Sequence, residues 1–185
     1  MMTDGRLLRL LLLGVAAALL PGHSPYKQWY VYRAKHLLVV TDDARPGALD
    51  VATTVASAIA ARWPDTRAAP AAAKSPAEVV KLLRSGQLQV GLLPAADASD
   101  ALEGRGRFAQ NGRLPLRAVA VVGGDVLVVL ESFARERAHA IAQALVESRA
   151  GGPLAKKPSL RGPAPIPFHP GALDYYEGKT PLKGS

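Results

Sequence analysis

The chain has 185 residues, 49% of them hydrophobic and only 5% aromatic, which is enough for one domain with an aliphatic core and a tail. It contains no cysteine, which excludes disulfides, thiolate nucleophiles and cysteine-bound metals. A net charge of +8 suits an anionic membrane surface or an acidic partner. The basic residues are scattered and no nucleic-acid-binding motif accompanies them, so we expect no nucleic-acid partner.

The first segment, residues 1–25, has the pattern of a secretory signal peptide or a membrane anchor helix. Two arginines precede the apolar run Leu10–Leu20, as in a signal peptide, but a good cleavage signature does not follow. Trp29 and Tyr30 then resemble the aromatic belt of a membrane interface. A cleaved signal and a retained anchor both remain open, and the aromatic residues favour the anchor. We expect the rest of the chain to lie outside the cytoplasm.

Residues 26–149 alternate between short apolar runs and amphipathic segments, which predicts an α/β domain with a mostly parallel sheet flanked by helices. The predicted strands are Lys35–Thr41, Thr66–Ala72, Leu88–Leu93, Arg117–Val122 and Asp125–Leu130. The predicted helices are Ala48–Trp63, Ser75–Gly86, Ala95–Leu102 and Phe133–Glu147. The pair Gly123-Gly124 between the last two strands indicates either a tight turn or a hinge.

Residues 150–185 predict an irregular tail that is rich in glycine and proline. Its first part, Ala150–Pro165, has no periodicity and should be extended. Ile166–Gly178, reading I-P-F-H-P-G-A-L-D-Y-Y-E-G, is more distinctive. A turn at His169-Pro170-Gly171 should lead into a short helix over Ala172–Glu177 that closes the core or meets a partner.

This motif carries a resemblance to a known family. The order His169-Pro170-Gly171-Ala172, two further residues, then Tyr175-Tyr176 resembles the C-terminal end of the TAXI family, the extracytoplasmic solute receptors of tripartite TRAP transporters. The chain departs from the family at Phe168 and Asp174. Upstream, L-L-R-S-G-Q-L-Q-V-G-L-L resembles the family's passage from its second helix into a strand. The resemblance implies a periplasmic-binding-protein-like lobe and ligand-binding loops at the carboxyl ends of its strands.

Two features expected from the resemblance are missing or altered. Receptors of this family hold solute between two lobes, but Val122 and Asp125 are separated by only two glycines, whereas a second lobe needs on the order of 100 residues. We therefore expect a single lobe. The first ligand loop, Thr41–Gly47, keeps one glycine and has no tyrosine. Solute held from one side would bury less of its surface than ligands in enclosed pockets.

No constellation for catalysis, metal binding or cofactor binding is evident. The four histidines, His23, His36, His139 and His169, do not pair at metal-ligand spacing. Neither G-x-S-x-G nor a phosphate-binding glycine loop occurs. Asp42 and Asp43 are adjacent carboxylates, but a turn explains them better than acid–base catalysis. We expect no enzyme activity, no cofactor and no metal.

The residues after the first and third strands are the candidate ligand site, because ligands of open α/β sheets bind at the carboxyl ends of the strands. This candidate site comprises Thr41, Asp42, Asp43, Arg45, Pro94 and Asp97. The candidate interface residues are Trp29, Tyr30, His169, Pro170, Gly171, Tyr175 and Tyr176. We expect a non-catalytic accessory or assembly subunit of a membrane or periplasmic complex. The alternative is a solute-binding subunit of a TRAP-type transporter that takes a small organic acid.

Overall fold

A five-stranded mixed sheet forms the centre of the fold in the computed structural model, which describes residues 31–33, 35–148 and 165–180. The strands are β1 (Leu38–Asp42), β2 (Ala69–Ala73), β3 (Val90–Pro94), β4 (Leu116–Val122) and β5 (Asp125–Leu130). The helices are α1 (Ala48–Arg62), α2 (Pro76–Arg84), α3 (Ala95–Glu103), α4 (Arg135–Val146) and α5 (Pro170–Tyr176). Contacts group the chain from Arg33 onwards into one unit, and the account below concerns that unit.

The strand order is β2-β1-β3-β5-β4, which confirms an α/β domain but corrects the expectation of a mostly parallel sheet. β1 pairs in parallel with β2 and β3, whereas β5 pairs antiparallel with both β3 and β4. The two-residue turn at Gly123-Gly124 makes β4 and β5 antiparallel, since such a short connection can join only antiparallel strands. Gly123 has a φ of 62°, which suits the first central position of a hairpin turn of this length. The glycine pair is therefore a tight turn.

Helices cover both faces of the sheet. α1, α4 and α5 pack on one face around Val55, Ile59 and Leu145. On the opposite face α2 and α3 pack with a 3₁₀ turn at Gly106–Asn111, which contributes the fully buried Phe108. Strand residues alternate between the two clusters, as the period of two requires. Both layers are aliphatic, which agrees with the low aromatic content.

Local signals explain why α2 forms where it does. The Ser75 side chain accepts a hydrogen bond from the Glu78 backbone amide, and the Glu78 carboxylate accepts one from the Lys74 amide at 2.7 Å. Pro76 occupies the first helical position, where its missing amide costs no hydrogen bond. A serine cap with a glutamate three residues later, together with the proline at the first helical position, therefore sets the start of α2.

Residues 165–180, at the end of the described chain, pack against the lobe, and α5 confirms the short helix predicted after the turn at His169-Pro170-Gly171. Phe168 forms an isolated parallel bridge with Ala118, so the segment extends the sheet beyond β4. The backbone amide of His169 donates to the Ala118 carbonyl at 2.8 Å. α5 follows at once and packs on α4. The connector prediction for Ala150–Pro165 falls almost entirely outside the described residues.

The anchor prediction for residues 1–25 also lies outside the described residues, as do Trp29 and Tyr30. Among the residues that are described, no helix combines the length and apolarity needed to cross a membrane.

Candidate functional site

The carboxyl ends of β1 and β3 lie at the same edge of the sheet as the β4–β5 turn, and polar side chains converge there. We call this the polar edge, and it consists of Thr41, Asp42, Arg45, Asp97 and Asp125. Thr41 is fully buried, and Asp42 and Asp125 are 3% and 4% exposed. Buried carboxylates are costly unless they are paired, so their partners decide what this edge can do.

Arg45 is the cation that compensates these carboxylates. Its Nη1 donates to Asp125 at 2.9 Å, and its Nε lies 3.6 Å from Asp42 Oδ2. The side chain is 35% exposed, which is far more than either carboxylate. Gly47, with a φ of 78°, precedes α1 and lets the chain turn from the β1 loop into the helix. The loop therefore folds Arg45 over the ends of β1 and β5.

Several polar atoms at this edge have no hydrogen-bond partner among the described residues. They are Thr41 Oγ1, Asp42 Oδ2, and Nε and Nη2 of Arg45. Such atoms are uncommon inside proteins and each calls for a physical explanation. The unmet capacity includes two guanidinium donors, one carboxylate acceptor and one hydroxyl. It is the observation that favours a ligand.

Asp97, at the start of α3, belongs to the same electrostatic neighbourhood. Burial raises the pKa of this carboxyl group, and the negative charges of Asp42 and Asp100 raise it further. Arg107, which lies on the 3₁₀ turn 3.4 Å from Asp97, lowers the pKa of Asp97, and Arg45 lowers it by less. Asp97 therefore adds negative charge that Arg45 and Arg107 share in balancing.

Of the six predicted ligand residues, four lie at the polar edge and the other two lie next to it. Thr41, Asp42, Arg45 and Asp97 lie at the polar edge. Asp43 is exposed beside it, and Pro94 is half-buried and opens α3. The sequence prediction missed Asp125. A hairpin interpretation of Gly123-Gly124 could have found it, since that turn places Asp125 beside Val122 at the same edge.

The C-terminal motif is packed inside the lobe. His169 is 2% exposed and caps α5, its Nδ1 accepting a hydrogen bond from the Gly171 amide at 3.1 Å. Tyr176 is buried and donates its hydroxyl to the Val119 carbonyl at 2.6 Å. Burial raises the pKa of the Tyr176 hydroxyl far above its usual range. Of the predicted interface residues here, Pro170 is exposed and Tyr175 half-buried, so only these two offer surface to a partner.

An ion pair ties this motif to α4. Arg135 donates to Asp174 through Nε at 2.5 Å and through Nη2 at 2.8 Å, and the Asp174 side chain is 7% exposed. The bidentate hydrogen bond from Arg135 lowers the pKa of Asp174. Asp174 therefore has a structural role in this chain, because it holds α5 against α4.

His169 should make the stability of the protein depend on pH. Burial lowers the pKa of its imidazole. The Glu131 and Phe133 carbonyls raise it by less, and neither makes a hydrogen bond of normal geometry with Nε2. The folded state thus holds the neutral ring, while the unfolded chain binds a proton below a pH of about 6.5. Stability is fully present above that pH and falls as pH drops towards the lowered folded pKa.

The substitution His169→Asn tests this prediction, because asparagine keeps an N-cap acceptor and does not titrate. We expect the free energy of unfolding of the native chain to fall between pH 7 and about pH 5 relative to that of the variant. Urea unfolding at a series of pH values measures it. Parallel curves for the two proteins over that interval would show that His169 is not held neutral.

Comparisons with known proteins give no identification. No protein family model matches the chain, and no curated protein matches it. Within the described ranges, no group of three or more histidine, aspartate or glutamate side chains could hold a metal ion.

Proposed function

We propose that the chain is a membrane-anchored, extracytoplasmic accessory or assembly subunit that is non-catalytic and derived from a TAXI-type solute receptor. The observation that carries the proposal is the hydrogen bond from Arg45 to Asp125. In a two-lobed receptor the chain would pass to the second lobe at the position of the β4–β5 turn. Here Asp125, the first residue after that turn, accepts a hydrogen bond from Arg45 of the first ligand loop. Arg45, the basic residue among the six predicted ligand residues, is thus paired within the lobe.

The surroundings of the turn support the same interpretation. The Ala95 amide donates to the Gly124 carbonyl at 3.4 Å, so the turn also contacts the start of α3. Asp42 supplies a second carboxylate to Arg45. A solute carboxylate would have to compete with two buried aspartates for one guanidinium.

Co-purification tests the proposed function. The full chain with a C-terminal tag is extracted from membranes in mild detergent, and the mass of the native complex is measured. We expect a stoichiometric complex in which residues 1–25 are still attached. A lone, soluble chain without those residues would contradict the proposal. A tagged unrelated membrane protein, purified in parallel, controls for adventitious partners.

The alternative is a solute-binding subunit for a small organic acid. It is favoured by Nε and Nη2 of Arg45, which have no hydrogen-bond partner among the described residues and could donate to an anion. Thr41 Oγ1 would add a neutral hydrogen-bonding group. In this case a second chain or a second copy would have to cover the open side of the site. Saturable carboxylate binding that depends on Arg45 would support this alternative.

A further inference from the structure

A second feature lies at the opposite end of the sheet from the polar edge. It is an open groove of about 700 Å³, formed where β1 begins, α1 ends and α4 begins. We call it the basic groove. Its lining residues are Arg33, Lys35, His36, Leu37, Arg62, Trp63, Pro64, Asp65, Thr66, Gln89, Phe133, Glu136, Arg137 and Ile141. None of the predicted ligand or interface residues is among them.

Apolar side chains contribute to the groove next to the core. Ile141 is fully buried, while Trp63 and Phe133 are only partly buried and pack against the same core cluster. A partly buried tryptophan and phenylalanine in a concave site are typical of pockets that receive an apolar anchor from a partner. The size of the groove lies within the range of sites that bind ligands.

Charge sets the groove apart from the rest of the described chain. Four basic residues line it, Arg33, Lys35, Arg62 and Arg137, against the two acids Asp65 and Glu136. Arg137 donates to the neutral side chain of Gln89, and that hydrogen bond leaves its charge uncompensated. The described residues outside the groove include eleven basic and twelve acidic residues. The excess of positive charge in the described chain is therefore concentrated here.

The undescribed parts of this chain do not suit the groove as occupants. They hold eight of the 23 basic residues but only one of the 15 acidic residues, Asp4. Residues 149–164 carry four basic residues and no acid. Like charges would repel such a segment from the groove. A flat bilayer surface would meet the exposed cations but would not enter a concave site to reach Trp63 and Phe133.

We infer that the basic groove docks an acidic, linear segment of a partner protein that carries at least one large apolar residue. The acidic groups would lie against Lys35, Arg62 and Arg137, and the apolar residue would contact Trp63 and Phe133. The inference rests on the proposed function and names the kind of partner that such a subunit would meet. Electrostatic attraction would accelerate the encounter, and the apolar anchor would slow dissociation.

A peptide titration tests the inference. The probe is a short synthetic peptide in which glutamates flank one leucine and one phenylalanine, added to the full chain carrying Trp29→Phe so that Trp63 is the sole tryptophan. We expect saturable changes in Trp63 fluorescence at about 20 mM salt, weakening several-fold at about 300 mM. A peptide with lysine in place of glutamate should not bind.

Charge-reversal variants locate the binding. The double substitution Arg62→Glu and Arg137→Glu should weaken peptide affinity by about tenfold or more. The matched control, Lys81→Glu with Arg113→Glu, changes two exposed cations outside the groove lining and should retain the affinity of the parent. Equal losses in both variants would overturn the inference, as would the absence of any Trp63 response. Binding to phosphatidylserine vesicles but not to the peptide would also overturn it.

The groove and the proposed function can fail separately. If the native complex forms and the Arg62→Glu, Arg137→Glu variant retains its partner, the groove is not the docking site although the subunit role stands. If no native complex forms, the subunit role fails, whatever the peptide does. If the groove variant loses the partner, the matched control keeps it, and the peptide changes Trp63 fluorescence, both the groove and the subunit role are supported.

Discussion

Replacing Gly171 by alanine is expected to destabilise the protein more than any other single methyl addition at a described glycine. An added Cβ would lie 2.0 Å from the Arg135 carbonyl oxygen and 2.8 Å from its carbonyl carbon. Both atoms belong to the backbone, so no side-chain rotation relieves the clash. α5 would have to withdraw from α4, which would break the Arg135–Asp174 pair and the hydrogen bond from Tyr176 to Val119.

We expect Gly171→Ala to lower the free energy of unfolding by about 3 kcal/mol or more, a large part of the 5–15 kcal/mol typical of folded domains. Urea unfolding followed by circular dichroism measures the change. Gly124→Ala is the matched control, because its added Cβ meets nothing within 4 Å and its φ lies outside the left-handed region. That variant should stay within about 1 kcal/mol of the parent. Equal urea midpoints for Gly171→Ala and Gly124→Ala would contradict the close packing of α5 on the α4 backbone.

Arg45→Met should produce the second-largest loss, since it removes the cation between two buried carboxylates. Asp42 and Asp125 are almost fully buried, and methionine would leave both without that partner. Breaking one side of a buried pair typically costs 3–5 kcal/mol, and the 35% exposure of Arg45 reduces this to about 2 kcal/mol.

The double variant Arg45→Met, Asp125→Asn should recover part of that loss, because the carboxylate left unpaired is then neutral. Arg107→Met is the control. Its side chain is 60% exposed and lies 3.4 Å from Asp97, so the effect should stay within about 1 kcal/mol. Thermal and urea unfolding of the parent, the single variants Arg45→Met and Asp125→Asn, and the double variant gives the coupling between the two residues. A double variant no more stable than Arg45→Met would contradict the charge argument.

The elements of this fold could be predicted from local patterns, whereas their arrangement could not. Apolar runs and amphipathic segments placed the strands β1–β5 and the helices α1–α5 to within a few residues. They did not predict the 3₁₀ turn at Gly106–Asn111, which buries Phe108. The prediction of a mostly parallel sheet failed because strand periodicity carries no information about pairing partners. β5 enters between β3 and β4 through long-range packing. The bridge from Phe168 to Ala118 joins residues distant in sequence for the same reason.

The candidate site shows a similar division. The rule that ligand loops follow the carboxyl ends of strands selected Asp42 and Arg45, and the structure places both at the polar edge. It could not reveal that Arg45 is paired with Asp125, because that contact depends on the antiparallel hairpin. The basic groove was invisible for another reason. Its cations come from segments that are far apart in the chain, so no run of basic residues marks it.

Calorimetric titration of the full chain with a panel of small mono- and dicarboxylates tests the central claim most directly, namely that Arg45 is paired with Asp125 and Asp42 within the lobe and holds no solute. We predict no saturable heat with any member of the panel for the native chain. Saturable binding that disappears in Arg45→Met and persists in Arg107→Met would contradict the claim. It would identify the polar edge as a working carboxylate site and the chain as a solute-binding subunit.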